Sequence, residues 1–530
     1  MSSSFSVGRR ELLQWAAVAG AGMYLPGIAS GQPRLAGDPF TLGVASGSPT
    51  HDSVVLWTRL MLEKDQSPRL SAQPLEVRWE VAHDEKFSRI VQSGSAPALA
   101  ELGHSVHVEV QGLPSDRWYF YRFLLGPAVS GTGRTRTLPA ADAVVSRLRL
   151  AYASCQRWEH GHFSAWRHMR EENLDLVMFL GDYIYEYPNT GHAVRVPTGG
   201  WVTTLDDYRQ RYALYKSDAN LQAMHATCPW LVTWDDHEVQ NDYAGGTEGL
   251  SGVPVSDFAA RRAAAYQAFY EHMPVRASVL TGALAGLASG AEMRIYDRLQ
   301  YGRLASLYML DARQYKDVQV CTRDGKNGSS TVNPSICPAW GDPARSMLGR
   351  KQERWLEAEL GKAASKDSHW NVLGQPSLFG QRDFRAGAAQ VFWNDGWDGY
   401  SAARTRLTDA LQKHRVANPV LLGGDVHENW VGHVKSDYAQ AASPAIGVEF
   451  CGTSITSRSG GNEKIAQVLA ENPHFVFADS ERKGYGVVEF TPKRLMTTLR
   501  VVSDVTREDS GIETLAQFSV RAGRPLVEKA

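Results

Sequence analysis

From about Phe40 to Pro139 apolar and polar residues alternate in short runs: "SVVLWTRL", "LEVRWEVAH", "HSVHVEVQGL" and "WYFYRFLL". Successive side chains of a strand point to opposite faces, so a period of two predicts half-buried antiparallel strands. Gly, Pro, Asp and Ser separate the runs at intervals suited to a small sandwich, immunoglobulin-like or fibronectin-like, over 38–139. No cluster of His, Cys and carboxylate at ligand spacing falls inside it, so the unit reads as structural or as an interaction surface.

The rhythm changes after Arg147. "LRLAYASC", "LDLVMFLGD", "PWLVTWDDHE", "HWNVLGQ" and "NPVLLGGD" are solid apolar runs of strand length. "FSAWRHMREEN", "YRQRYALYKSDANLQAMHA", "FAARRAAAYQAFYEHM" and "GRKQERWLEAELGKAA" are predicted helices. Such alternation predicts an α/β unit, a layered β-sheet sandwich flanked by helices, over 146–515. "GVVEFTP" and "RLMTTLRVV" read as a closing hairpin, and 320–345 as a polar loop with Cys321 and Cys337 near its ends. There is no internal repeat.

Composition adds limits. The 530 residues are 43% hydrophobic and 21% charged, enough for a sizeable core. Formal charge is −1 with no long basic run, which gives little support to a nucleic-acid groove. The opening "SVGRRELLQWAAVAGAGMYLPGIAS" pairs Arg9 and Arg10 with a short, moderately apolar stretch and small residues. That layout predicts a removable leader over 1–31, addressed to the twin-arginine translocation machinery; the alternative is an amphipathic helix or anchor. No later run reaches the ~18 apolar residues of a span, so the mature chain is expected to be soluble, periplasmic or secreted.

Chemistry gathers at four predicted strand ends: Cys155, Asp182 with Tyr185, Asp235 to Glu238, and Asp425 with His427. In open α/β sheets such ends aim side chains into one crevice, and here they are expected to share one sheet edge. Each has an ordinary reading too: a small buried thiol, a turn acid under an aromatic, a helix cap, a turn with a surface histidine. Together they would bury too much negative charge without cations. Thiolate, phenolate, carboxylate and imidazole from Cys155, Tyr185, Asp182 and His427 suit Fe(III). Asp236 and Asp425 suit a calcium-, magnesium- or manganese-like ion, and Asp182 can bridge. Two cations roughly 3.5–4 Å apart would clamp a phosphoryl group.

At "ASCQ", "GDYIYE", "WDDHEVQNDY", "LDARQYK" and "GGDVHENW", in this order, the chain resembles the PhoD-like alkaline phosphatases, relatives of the calcineurin-like metallophosphoesterases. The resemblance covers nearly the whole chain and implies a metallophosphoesterase-type fold. It assigns Fe(III) to Cys155, Asp182, Tyr185 and His427, and one or two Ca(II) to a site with Asp182, Asp236 and Asp425. In the wider superfamily an Asn-His pair stands at Asp236-His237 and a His at Asp425; carboxylates imply the calcium-like second metal. A further metal histidine of the wider pattern has no identified counterpart. Arg313 is a candidate fork to phosphate oxygens, or a salt bridge to Asp311 or another acid. His237 would orient the ester or protonate its leaving group, or else support a carboxylate. Asn241 and Asp242 are candidate supporting contacts. "WNDGWDGYSAARTRL", with Arg404, either walls the site or sits in the core. Cys321 and Cys337, in a loop of an exported protein, are expected to be bridged.

The expectation is an exported phosphatase that hydrolyses phosphate monoesters, and diesters too, by in-line attack of a metal-held hydroxide at neutral to alkaline pH. One rival is a specialised phosphodiesterase, phospholipase D-like, acting on phospholipid or teichoic-acid-type polymers. The other is a non-catalytic envelope protein with structural metals.

Overall fold

The computed structural model describes residues 37–62, 74–250, 252, 254–281, 292–363, 369–440 and 442–530. The leader expected over 1–31 lies outside them.

Two large sheets face each other, and helices cover both outer faces. The first sheet carries Leu148–Ala153, Leu176–Leu180 and Trp230–Thr233 side by side and parallel. Along its middle strand Leu176, Met178 and Leu180 turn toward the second sheet, while Val177 and Phe179 turn toward the helix layer. Both faces are dry, so the sequence shows an unbroken apolar run rather than alternation. That helix layer contains Ser164–Met169, Leu205–Lys216, Ala219–His225 and Phe258–His272. The second sheet has seven strands, with Ala305–Met309, Trp370–Gly374, Pro419–Gly423 and Ala445–Cys451 parallel. Tyr308, Leu373 and Leu421 on its outer face pack under Gly349–Ala363 and Ser401–Lys413.

The amino-terminal strands form a sandwich, but one of its layers is not its own. Val44–Gly47, Val54–Arg59 and Ser105–Val110 extend the first large sheet, with Gly47 paired in parallel to Trp230. The opposing layer comprises Leu75–Ala82, Ile90–Ala98, Trp118–Leu125 and two short strands. Leu75, Val77 and Val81 from one layer meet Val54, Leu56 and Val108 from the other.

Three local expectations change. "YRQRYALYKSDANLQAMHA" is two helices, because the Asp218 carboxylate accepts from the Asn220 and Leu221 N–H groups and caps a new start. The helix predicted at "FSAWRHMREEN" spans only Ser164–Met169. The terminal hairpin, Gly484–Phe490 with Arg494–Val502, does not close the chain. It lies beside Leu148–Ala153, and Ile512–Arg521 adds a further strand. Cys321 and Cys337 are bridged; Cys155, Cys228 and Cys451 are buried and free.

The helix layer also buries imidazoles. His272 has Nδ1 2.6 Å from the Ala268 carbonyl and Nε2 2.6 Å from Arg59 Nη1. His225 stacks on Trp230 at 3.8 Å between centroids, with Nε2 2.8 Å from Tyr183 Oη. Nearby, Lys216 lies 4.2 Å over the Trp57 ring.

Candidate metal centre

The strand ends converge, but from two sheets. Cys155, Asp182 and Asp235–Asp236 follow neighbouring strands of the first sheet; Asp425 follows Pro419–Gly423 in the second. The single edge expected from sequence is therefore the shared mouth of two facing sheets. Two sheets bring side chains in from opposite walls, which a single edge does not.

The backbone is bent sharply at three of these turns, all but that of Asp235–Asp236. Cys155, Asp182, Asp425 and His427 all adopt left-handed φ, at 59°, 58°, 68° and 58°. Such conformations cost on the order of 1–3 kcal/mol each in residues with a β-carbon, and they collect where surrounding structure enforces a functional geometry. Gly181, at φ 97°, permits the approach: a Cβ there would lie 2.6 Å from Asp235 Cβ.

Three groups of donor atoms result, each with its atoms within 4.8 Å of one another: Cys155, Asp182 and His427; Asp182, Asp236 and His237; Asp236, Asp242 and Asp395. The first two share Asp182 and the last two share Asp236. Tyr185 joins the first group, with Oη 3.0 Å from Asp182 Oδ2 and 3.2 Å from His427 Nε2. Asp425, half-buried, completes none of the three groups, yet burial and the charges of Asp235, Asp236 and Asp395 raise its carboxyl well above the ordinary range.

The donor set fits cations. Among the described residues, buried Asp182 Oδ1 and Asp235 Oδ2 have no hydrogen-bond partner. Burial raises the Asp182 carboxyl well above its usual range; His237 opposes this, and Asp236, Asp235 and Glu238 reinforce it. Burial, then Asp182, does the same to the Cys155 thiol. Acids left this way cost several kcal/mol apiece unless a countercharge is bound. The first group mixes sulfur, phenol, imidazole and carboxylate, and the third is carboxylate alone; both are donor sets that could hold a metal cation.

Supporting contacts fix each donor. His427 Nδ1 lies 2.7 Å from the Arg458 carbonyl, which leaves Nε2 facing Tyr185. The Arg157 guanidinium stacks 4.0 Å over the Tyr185 ring. His237 Nδ1 meets Glu186 Oε2 at 2.7 Å, so Nε2 is the nitrogen left available. Burial alone would lower the His237 pKa, but Glu186, Asp182 and Asp236 carry it well above the ordinary value. Arg313 is held among three acids: Nε to Asp235, Nη1 2.7 Å from Asp395, Nη2 3.5 Å from Asp236. The Asp311 carboxylate takes its backbone N–H instead, at 3.0 Å. Lys316 Nζ also meets Asp395, at 2.5 Å. Asp242 donates its backbone N–H to Asp236 Oδ2 at 2.7 Å, and Asn241 donates its own to Glu186 at 2.7 Å. Arg404 lies away from these groups, buried on Asp398.

Glu238, at the end of the Asp235-to-Glu238 run, is a hub whose bracing role the sequence does not show. Its carboxylate accepts from the backbone N–H groups of Tyr183 at 2.6 Å, Asp235 at 2.9 Å and Asp182 at 3.1 Å. Glu238→Ala is expected to destabilise the fold by roughly 3 kcal/mol: three buried N–H groups lose an acceptor worth about 1–3 kcal/mol each, and part of that sum is offset because burial disfavours the carboxylate, raising it to about 7. Urea unfolding measures it, and a loss under about 1 kcal/mol would show that the clamp carries no weight.

A family model described as PhoD-like phosphatase matches residues 150–499, and one for the N-terminal domain of PhoD-like phosphatase matches 27–139. Alkaline phosphatase D of Bacillus subtilis (strain 168) is 45% identical over 495 residues, covering 92% of this chain and 81% of that protein. A solved structure described as "Structure of PhoD" has a TM-score of 0.85 at 43% identity, covering 94% of this chain and 93% of that chain.

Proposed function

The chain belongs to the PhoD-like phosphatase family and is a phosphoric ester hydrolase, and from that premise we propose an alkaline phosphatase that cleaves phosphate monoesters, and diesters too, at an Fe(III)/calcium site. Cys155, Asp182, Tyr185 and His427 are the proposed holders of iron. Asp182, Asp236 and Asp425 are the proposed holders of calcium, and Asp242 and Asp395 supply acids for a second calcium. The observation that carries the reading is the sharing of Asp182 between a sulfur-containing group and a carboxylate-imidazole group.

Bound cations would neutralise phosphoryl oxygens and acidify water at the site. The residues themselves do the rest. Asp182 faces both groups, so one carboxylate sets the spacing of the two positions. His237, oriented through Nδ1 by Glu186, presents Nε2 to the ester and delivers a proton to the leaving alcohol oxygen. Arg313 stays protonated among its acids, and Nη2, its loosest contact, is the edge that turns toward a phosphoryl oxygen.

Export by the twin-arginine route is proposed from Arg9 and Arg10. Among the described residues no helix is long and apolar enough to cross a membrane.

Metal removal tests the reading. Dialysis against a strong chelator should abolish hydrolysis, and only iron with calcium together should restore it. Elemental analysis should find both metals, and the concentrated protein should be tinted by thiolate and phenolate charge transfer. A colourless, iron-free and fully active preparation would overturn the iron assignment. Faster cleavage of a bis-ester than of the matched monoester would move the reading to a specialised diesterase.

A further inference from the structure

The loop closed by Cys321 and Cys337 reaches back into the metal centre. Ser329 gives Asp242 Oδ2 two hydrogen bonds, from Oγ at 2.7 Å and from N–H at 3.2 Å. Its neighbour Ser330 donates its N–H to Asn394 Oδ1 at 2.6 Å and accepts the Asn394 N–H at 2.9 Å. Thr331–Val332 then pairs with Phe392–Trp393. Asp395 follows directly, so this short stretch braces two members of the all-carboxylate group at once.

Just before Ser329 the chain must approach very closely. Gly328 is buried at φ 103°, and a Cβ there would lie 3.1 Å from Leu250 and 3.4 Å from Asp242 Oδ2. Only glycine combines that backbone conformation with that clearance. The residue before it is Asn327, which is exposed. Among the described residues neither the Asn327 carboxamide nor the Gly328 N–H has a hydrogen-bond partner.

We propose that Asn327–Gly328 is a self-modification site that releases the Ser329 clamp on Asp242 as the enzyme ages. The Gly328 nitrogen attacks the Asn327 side-chain carbonyl carbon. The bond from that carbon to the side-chain nitrogen breaks, the nitrogen leaves as ammonia with the proton given up by Gly328, and a cyclic imide closes. Water then opens the imide at either carbonyl, giving aspartate or isoaspartate; no oxidant or reductant is involved. Glycine puts no side chain in the way of the attacking nitrogen, and alkaline solution favours the step by deprotonating it. The isoaspartate route lengthens the main chain by one carbon next to Ser329, and either product adds a negative charge beside an acidic group. The residue that lets the loop touch Asp242 thus also limits how long the contact lasts. The effect on cation binding rests on the calcium reading above; the chemical step does not.

The test keeps the two separable. Full-length enzyme is held at alkaline pH with calcium, and the tryptic peptide 327–345 is followed by mass spectrometry and by an isoaspartate-specific methyltransferase. Calcium affinity and hydrolysis are measured on the same samples. Modification should accumulate at residue 327, and affinity and activity should fall in proportion to the modified fraction. Asn327→Gln, an exposed substitution that disfavours the five-membered ring, should stay unmodified and hold both properties. An unmodified wild-type peptide would overturn the site. Full modification with unchanged calcium affinity would overturn its coupling to Asp242. Fresh enzyme that binds no calcium would instead count against the metal assignment, whatever happens at residue 327.

Discussion

Asp182→Asn is expected to lower kcat roughly a thousandfold, about 4 kcal/mol of transition-state stabilisation, with the fold intact. Both halves of that outcome follow from where the side chain stands. Its carboxylate belongs to two donor groups at once, so neutralising it weakens both cation positions together. The fold loses little. Asparagine has nearly the same shape and tolerates the left-handed φ of 58° better than most residues. The backbone N–H stays on Glu238, and an amide oxygen can still accept from Tyr185 Oη, now 3.0 Å from Asp182 Oδ2. Because burial and neighbouring acids disfavour this charge, the metal-free variant should melt no lower than metal-free wild type. Steady-state kinetics beside thermal melts check both parts. Unchanged kcat with unchanged melting would favour a protein whose metals are structural and whose chemistry lies elsewhere.

A second large effect concerns acid. His272 and His225 are held well below the ordinary imidazole pKa by burial, then by Arg59 and by Lys216 respectively. Burial also lowers His107 and His474 from 6.5 to about 4. These side chains are neutral in the folded protein and protonate near 6.5 once unfolded. Between about pH 6.5 and 4 the unfolded chain therefore binds more protons, so stability is complete above that window and is lost as pH falls through it. At about pH 5 His107 and His474, held at about 4, each cost roughly 2 kcal/mol, and His225 and His272 act in the same direction. The first two alone remove a large part of the margin of about 5–15 kcal/mol that keeps a domain folded. Melting temperature should thus collapse between neutral pH and about pH 5 with calcium held constant. His225→Gln with His272→Gln should flatten that slope, whatever it does to the neutral value; an unchanged slope would exonerate these imidazoles.

Much of the donor clustering was readable because strong donors sit at strand ends, where an apolar run breaks abruptly into acid and phenol. "VMFLGDYIYEY" shows both the strand and the donor atoms that gather at its end. Period two exposed the outer sandwich strands, since buried Leu75 and Val77 alternate with exposed Glu76 and Arg78. The strand Ala305–Met309 escaped notice because all five of its residues are buried and its apolar run is short. Asp395 was hidden for another reason: "WNDGWDGY" looks like an aromatic wall, and nothing local says that Lys316, Arg313 and Gln319 will close around one of its acids. Glu238 reads as the end of a cap signal. Its actual work, holding three amides from two loops, depends on the sheet bringing those loops together. Sheet membership was beyond reach as well, because nothing in "NPVLLGGD" says which of two sheets it will join.

The borrowed layer of the amino-terminal sandwich sets a limit on how this enzyme can be taken apart. A chain begun near residue 140 would lack Val44–Gly47, and the Trp230 end of the Trp230–Thr233 strand, where Gly47 pairs, would join a bare sheet margin with its hydrogen-bonding groups turned outward. Such margins recruit one another. Trimmed to its chemistry, the protein should therefore emerge as inclusion bodies, not as a smaller catalyst.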